Sequence, residues 1–480
     1  MVEATRYDKN ILFSERAIHQ RPSFVRQMLA LLQEHPEIIS FAGGLPDPET
    51  MPTDEMFKCQ QLPIDLVSPE GKIVAEKHLK QLGLKGFAGD LKRELNYCAT
   101  TGRGHFKKEM IKLLKQLTGV EYGKDEILVC NAGQQGISLM ARAFLNPHDV
   151  VYTYGNTYVG AIPAFELVGA VKRGIPVDKR GIVIDKLVED LERTVPNPDL
   201  SHKIRVPGQL SIKELEEILD REKSNVDNGR RGKMVYINAF YDNPNQTVLP
   251  RERAERLVRL AYEYNLVIFE DEPYGEIGFL DGEFKHDGLP YLNKIGRDMQ
   301  KMLGETSNPV LLLFTISKIL FPGSRLAVLA GDAEFIDKIQ VIEQADSLCP
   351  STKAQAEVAT YLMNYEISEH IDKLRRGYKA KGDLFEEELR KTKHLWPLIE
   401  GYNRGPLFFF ITFKPGVAVS EMFTEENILK YGVMGVPGKF CGDETDLTVR
   451  SNQGFASPDQ IKEGIKRWDR LAGDLYGEKK

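Results

Sequence analysis

From about residue 126 the chain reads as short, nearly unbroken apolar runs separated by stretches of helical periodicity. The runs are EILVC (126–130), VVYTY (150–154), KMVYINAF (233–240), NLVIFED (265–271), PVLLLFTI (309–316) and RLAVLAG (325–331). Each is short, rich in β-branched or aromatic residues and bounded by turn signals, as a strand buried on both faces should be. Between them, 134–145, 159–168, 250–264 and 333–346 carry apolar residues at helical spacing. This alternation predicts a mostly parallel sheet covered on both sides by helices.

The flanks read differently. Residues 14–35 predict a helix, with Phe24, Val25, Met28, Leu31 and Leu32 on one face, and a turn-rich apolar stretch follows from Ile38 to Pro52. Residues 103–118 predict another amphipathic helix. After about 345 a long helix is expected from Ser351 to about Arg390, then strands at 407–413, 431–437 and 446–450. A final helix is expected at 458–475, with Ser457 as N-cap ahead of Pro458. The stretches 60–92, 195–232 and 280–308 are polar or turn-rich and read as surface insertions. The expectation is an α/β protein with a large domain over 60–340. A smaller α+β domain would form from 1–59 and 341–480. No internal repeat is visible.

Composition narrows the function. A chain of 480 residues exceeds one small core, and 42% hydrophobic with 28% charged residues is ordinary soluble composition. A net charge of −6 argues against a nucleic-acid binder that relies on a general positive field. The cysteines Cys59, Cys98, Cys130, Cys349 and Cys441 are scattered and form no C-x-x-C pair, so reduced thiols are expected rather than a disulfide framework or zinc site. The nine histidines show no H-E-x-x-H spacing, and no metal site is expected. The first residues lack the apolar core of a secretory signal, and no stretch has the length and purity of a membrane span. A cytoplasmic protein with no nucleic-acid or membrane partner is expected.

Four clusters carry possible chemistry, each at the end of an apolar run. Lys318 lies in Thr315-Ile316-Ser317-Lys318 with Arg325 seven residues on. A lysine in a partly desolvated cleft loses proton affinity and can attack an aldehyde, while the hydroxyls and Arg325 suit a phosphate. Taken alone, these residues fit a solvated strand-end lysine equally well. Asp271 lies in Glu270-Asp271-Glu272-Pro273-Tyr274, where an acid can keep a ring nitrogen protonated or merely cap a helix. Asn131-Ala132-Gly133-Gln134-Gln135-Gly136 can present backbone N–H groups to an anion at a helix start, or be an ordinary turn. Asn243-Pro244 after the 233–240 run is a ligand donor or a turn. Their shared position at strand ends is where α/β sheets bind ligands.

Together these motifs resemble the fold-type I pyridoxal 5'-phosphate (PLP) aminotransferases of class I/II. The likeness is greatest to the kynurenine/α-aminoadipate aminotransferases and their fungal aromatic-aminotransferase relatives. It runs from about Ser14 to about Leu475 and includes Ser40-Phe41-Ala42-Gly43-Gly44-Leu45-Pro46, Leu95-Asn96-Tyr97 with Gly102, Val449-Arg450 and Phe455-Ala456-Ser457-Pro458. The resemblance implies the PLP-dependent transferase fold and amino-group transfer from an L-amino acid, aromatic or 2-aminoadipate-like, to a 2-oxo acid. It implies that Lys318 forms the Schiff base with PLP and shuttles the Cα proton, and that Asp271 pairs with the pyridine N–H. Asn243 and Tyr274 would contact the ring hydroxyl and Tyr158 would stack on the ring. Gly133, Gln134, Thr315, Ser317 and Arg325 would surround the phosphate. Tyr97 would reach the phosphate of a neighbouring subunit, implying a homodimer with shared sites. Arg450, with the backbone near Gly44, would bind the substrate carboxylate.

The sequence departs from the family pattern in places. Asn245-Gln246 stands where Thr-Gly usually follows Asn-Pro, Gly155 and Asn156 precede Tyr158, and Gly133 replaces a frequent Ser. The 47 residues from Asp271 to Lys318 fit an insertion near 280–308. Two rival functions therefore remain at this stage. One is β- or γ-elimination, replacement or cyclisation on the same cofactor, which starts from the same Cα chemistry. The other is a ligand-sensing module, for which no DNA-binding segment is expected ahead of residue 14.

Overall fold

Each apolar run between 126 and 331 becomes a strand of one seven-stranded sheet. The computed structural model describes residues 30–194, 213, 231–279 and 289–477. The sheet strands are β1 (Ile127–Cys130), β2 (Val150–Tyr154), β3 (Val171–Ile175), β4 (Gly232–Ile237), β5 (Val267–Glu272), β6 (Val310–Thr315) and β7 (Ala327–Ala330). Their order across the sheet is β1-β7-β6-β5-β4-β2-β3. Only β7 runs against its neighbours; β6, β5, β4, β2 and β3 pair in parallel.

Strand alternation sorts side chains onto two apolar layers. Val129, Tyr152, Val235, Ile268, Leu312 and Val328 pack on one face. Leu128, Val151, Tyr236, Phe269, Leu313 and Leu329 pack on the other. Helix Ala132–Phe144 lies against this second layer, and a Cβ at Gly136 would come within 2.5 Å of Leu313. Any larger residue there would have to displace the Leu313 side chain or the helix.

A third apolar cluster joins Ile38, Ile39, Phe41 and Ala42 to Phe385, Phe409, Ile411, Val449 and Trp468. It sits on a four-stranded sheet formed by β8 (Ile399–Arg404), β9 (Phe408–Phe413), β10 (Val436–Pro437) and β11 (Thr448–Asn452), in the order β8-β9-β11-β10. Ile39 and Ser40 pair in parallel with Val433 and Met434, which draws the N-terminal segment onto this unit. The closing helix, Pro458–Tyr476, starts with a capping box in which Ser457 and Gln460 exchange side-chain bonds with each other's backbone N–H.

Several expectations need correction. The helix expected from Ser351 to Arg390 is two helices, Thr352–Asn364 and Ile367–Arg390, because Tyr365 and Glu366 are extended. Asn364 uses its side chain to hold the backbone of Lys85 and Gly86 at this break. The run 431–437 is two short pieces, Val433–Met434 and Val436–Pro437. The stretch 60–92 does contain a 14-residue helix, Pro69–Leu82, but Ala75 is its one buried residue, which leaves the expected surface position unchanged. Within 280–308, helix Leu292–Leu303 buries Leu292, Ile295 and Met299 and is no surface decoration. The helix expected at 14–35 lies outside the described residues up to 29, and 30–34 are helical. The stretch 195–232 lies almost wholly outside them.

Candidate active site

The elements converge where the parallel strands end, which is where such sheets place ligands. A cavity of about 490 Å³ opens there. It is lined by Gly44, Gly133, Gln134, Tyr158, Asn243, Asp271, Tyr274, Thr315, Ser317, Lys318, Arg325 and Arg450, all expected from sequence. Tyr97 is 77% exposed and is not among the lining residues.

Lys318 follows β6 in a tight turn. It is half-buried by surface area, and its amine turns inward to donate to the Gly44 carbonyl at 2.6 Å. Burial lowers its pKa to about 8, and the nearby guanidinium groups of Arg450 and Arg325 push the same way. An amine of that strength is about half neutral one unit above neutrality, where an ordinary lysine is almost wholly protonated.

Asp271 is one of three consecutive buried acids at the end of β5, and alternation gives them different tasks. Glu270 accepts from the N–H groups of Leu292 and Asn293 at a helix start, and Glu272 from those of Tyr274 and Gly275. Asp271 alone lines the cavity, and burial raises its pKa to about 6. Tyr236 on the adjacent β4 donates to its Oδ2 at 2.6 Å, and the Asn238 side chain holds its carbonyl. Neither partner was expected from sequence. Tyr236 resembled any aromatic of a buried strand; Asn238, a lone amide inside an apolar run, was a signal that could have been followed.

The phosphate-like end is built from separate strands. Helix Ala132–Phe144 begins with no side-chain cap, which leaves the first N–H groups facing an open position. Thr315 donates from its hydroxyl to Ser317 at 2.9 Å, and Gln134 donates to the Gly160 carbonyl at 2.6 Å. Arg325 sits in a left-handed conformation at φ 51° and is exposed at the cavity mouth.

Opposite, Arg450 on β11 is buried. It donates to Asn243 Oδ1 at 3.0 Å and to the Ala42 carbonyl at 2.7 Å, and its guanidinium lies 4.7 Å from the centre of the Phe408 ring. Its Nε–H has no protein partner. Asn243 donates in turn to the Tyr274 hydroxyl at 3.3 Å. These residues fit PLP: a weakened amine for an aldehyde, a buried carboxylate for a pyridine N–H, and helix N–H groups, hydroxyls and Arg325 for a phosphate. Among the described residues no group of three or more histidine, cysteine or acidic side chains could hold a metal, and no helix is long and apolar enough to cross a membrane.

Comparison with known proteins agrees with this geometry. Residues 68–450 match the family described as aminotransferase class I and II, and the chain belongs to that family. Aromatic-amino-acid aminotransferase 1 of Thermococcus litoralis is 28% identical over 97% of this chain and 95% of its own length. The mitochondrial kynurenine/alpha-aminoadipate aminotransferase of Bos taurus is 25% identical over 94% of this chain and 96% of its own. Among solved structures, Pyrococcus horikoshii kynurenine aminotransferase in complex with PMP superposes with a TM-score of 0.74 at 26% identity, covering 98% of both chains. The protein is a PLP-dependent enzyme of fold type I that transfers amino groups, and the elimination alternative is not favoured.

Proposed function

We propose that the enzyme takes its amino group from an aromatic or 2-aminoadipate-like L-amino acid and passes it to a 2-oxo acid. The substrate class is supported by the relatives named for aromatic amino acids, kynurenine and α-aminoadipate. The observation that carries the site assignment is one cavity holding the weakened amine of Lys318, the buried carboxylate of Asp271 and the spare donor of Arg450. When bound, PLP supplies an aldehyde that condenses with amines and a ring that accepts electrons from the amino acid's α-carbon.

The protein's own groups then have distinct tasks. Lys318 would hold the cofactor through its amine. With its amine neutral, the lysine would take the proton from the substrate's Cα on Nζ and give it back during the transfer. Asp271 keeps a proton on the ring nitrogen by offering it a charge in a dry environment. Asn243 and Tyr274 contact the ring hydroxyl, and Tyr158 packs against the ring. The N–H groups at Gly133 and Gln134, the hydroxyls of Thr315 and Ser317, and Arg325 hold the phosphate. Arg450 clamps the substrate carboxylate, its charge directed by Asn243 and Ala42, with the backbone near Gly44 on the other side. Tyr97, exposed on this chain, reaches the phosphate site of a second copy, so the working unit is a homodimer. The setting is cytoplasmic.

The test is to mix the PLP-loaded enzyme with single amino acids and no acceptor. Conversion of the cofactor to pyridoxamine phosphate, with one 2-oxo acid released per site, is expected for kynurenine, phenylalanine or 2-aminoadipate. Loss of the substrate side chain with PLP regenerated would overturn the reading.

A further inference from the structure

The Asn-Pro-Asn-Gln loop, in which Asn245-Gln246 departs from the family pattern, makes a junction that the proposed roles do not use. Asn245 is buried, and its side-chain amide spends its hydrogens on two different loops. One goes to the carboxylate of Asp242 and the other to the Asn156 carbonyl at 2.9 Å. Asn156 lies two residues before Tyr158. The Asn245 carbonyl accepts from the Asn403 side chain at 2.9 Å, and Asn403 belongs to β8 of the smaller sheet. Asp242 is buried too, and closes the loop by accepting from the backbone N–H of Thr247 at 2.8 Å and from its hydroxyl. Gln246 folds back to donate to the Asp242 carbonyl at 2.9 Å.

We propose that Asn245 is a positioning residue for the transfer: its bridging amide fixes Asn243, and through it Arg450, relative to the loop carrying Tyr158. This rests on the roles assigned above to Asn243, Arg450 and Tyr158. The argument is one of donor number. Two acceptors on separate loops require two hydrogens on one short side chain, which an amide has and a hydroxyl or carboxylate lacks. Asn243 is two residues away in the same closed loop, and its Oδ1 is an acceptor for the Arg450 guanidinium. Releasing Asn245 leaves the Asn156 carbonyl and the Asp242 carboxylate short of a donor in a buried place. The loops then drift apart, carrying the carboxylate clamp away from the ring-packing residue. Displacements of this kind are costly because transfer needs both groups in register.

The experiment uses the PLP-loaded enzyme and whichever of L-kynurenine, L-phenylalanine and L-2-aminoadipate it turns over fastest. Asn245→Ala is expected to raise the KM for that donor about ten-fold and to weaken PLP affinity about five-fold, the size of a lost buried hydrogen bond. Asn403→Ala, which removes only the contact from the smaller sheet, should raise KM in the same direction by about three-fold. A purely structural role would lower the melting temperature and leave KM and PLP affinity unchanged. The proposal is overturned if both variants keep these values within about two-fold of the parent while Arg450→Lys raises KM. If Asn245→Ala does not fold, Asn245→Ser, which has one hydrogen to give instead of two, takes its place in the same comparison. A KM unmoved by Arg450→Lys would instead overturn the site reading on which the proposal rests.

Discussion

Tyr236 donates its phenolic hydrogen to Oδ2 of Asp271 at 2.6 Å, and both side chains are buried. The phenol is fixed edge-on or tilted against Phe165 and Phe269, with ring centres 5.5 Å and 5.6 Å away. The bond leaves the other carboxylate oxygen for the cavity. It also favours the charged form of Asp271 against the burial that raises its pKa to about 6.

Tyr236→Phe keeps the ring packing and removes only the donor. Losing a hydrogen bond to a charged group costs about 1.5–3 kcal/mol, or about one to two pK units. The acid limb of the kcat–pH profile should therefore move upward by that amount, with KM little changed. A profile that superposes on the parent's would show that the bond has no part in catalysis.

Lys318 gives a pH dependence of its own. Its pKa is lowered to about 8, so below that pH the amine is protonated and cannot attack. The rate at which apoprotein takes up PLP should rise about ten-fold per pH unit below 8 and level off above it. Stopped-flow absorbance follows this directly. A rate that keeps climbing to pH 10 would mean the amine is an ordinary lysine.

Asp271 also burdens the folded apoprotein. A carboxylate whose folded pKa lies above its unfolded value contributes stability that is present below the unfolded pKa and lost as pH rises through the folded one. For Asp271 that window runs from 3.8 to about 6. The two limits are about two units apart, so the charge costs about 3 kcal/mol at neutral pH. Burial lowers the pKa of His105 to about 4 and that of His370 as well, which works the other way over much of this range. The telling quantity is thus the difference between Asp271→Asn and parent apoproteins in urea. The variant should be the more stable at pH 7.5, and the advantage should vanish towards pH 4. A difference independent of pH would contradict this.

Much of this was readable in the sequence, for physical reasons. β4, β5 and β6 are buried on both faces and spell themselves out as Val/Ile/Leu runs, and the chemistry at their ends was placed by the same runs. In the two larger sheets β3 (VKRGI) and β8 (IEGYNR) escaped, and both are edge strands whose exposed positions carry charge and glycine. Helix Leu292–Leu303 escaped because its charged face dominates the composition while three apolar residues do the packing. In the site, most residues that touch the cavity through distinctive chemistry were found, Asn238 being an exception. Tyr236 was not, because a tyrosine that orients a carboxylate and a tyrosine that fills a core look alike until the strands are paired. The bridging amide of Asn245 escaped for a similar reason, since its acceptor on the other loop lies 89 residues away along the chain and the donor to its carbonyl 158.

The most direct test of the central claim is to reduce the PLP-loaded enzyme with borohydride, digest it and locate the phosphopyridoxyl group by mass spectrometry. The account predicts the group on Lys318 and its loss in Lys318→Ala. A different modified lysine, or none, would contradict it.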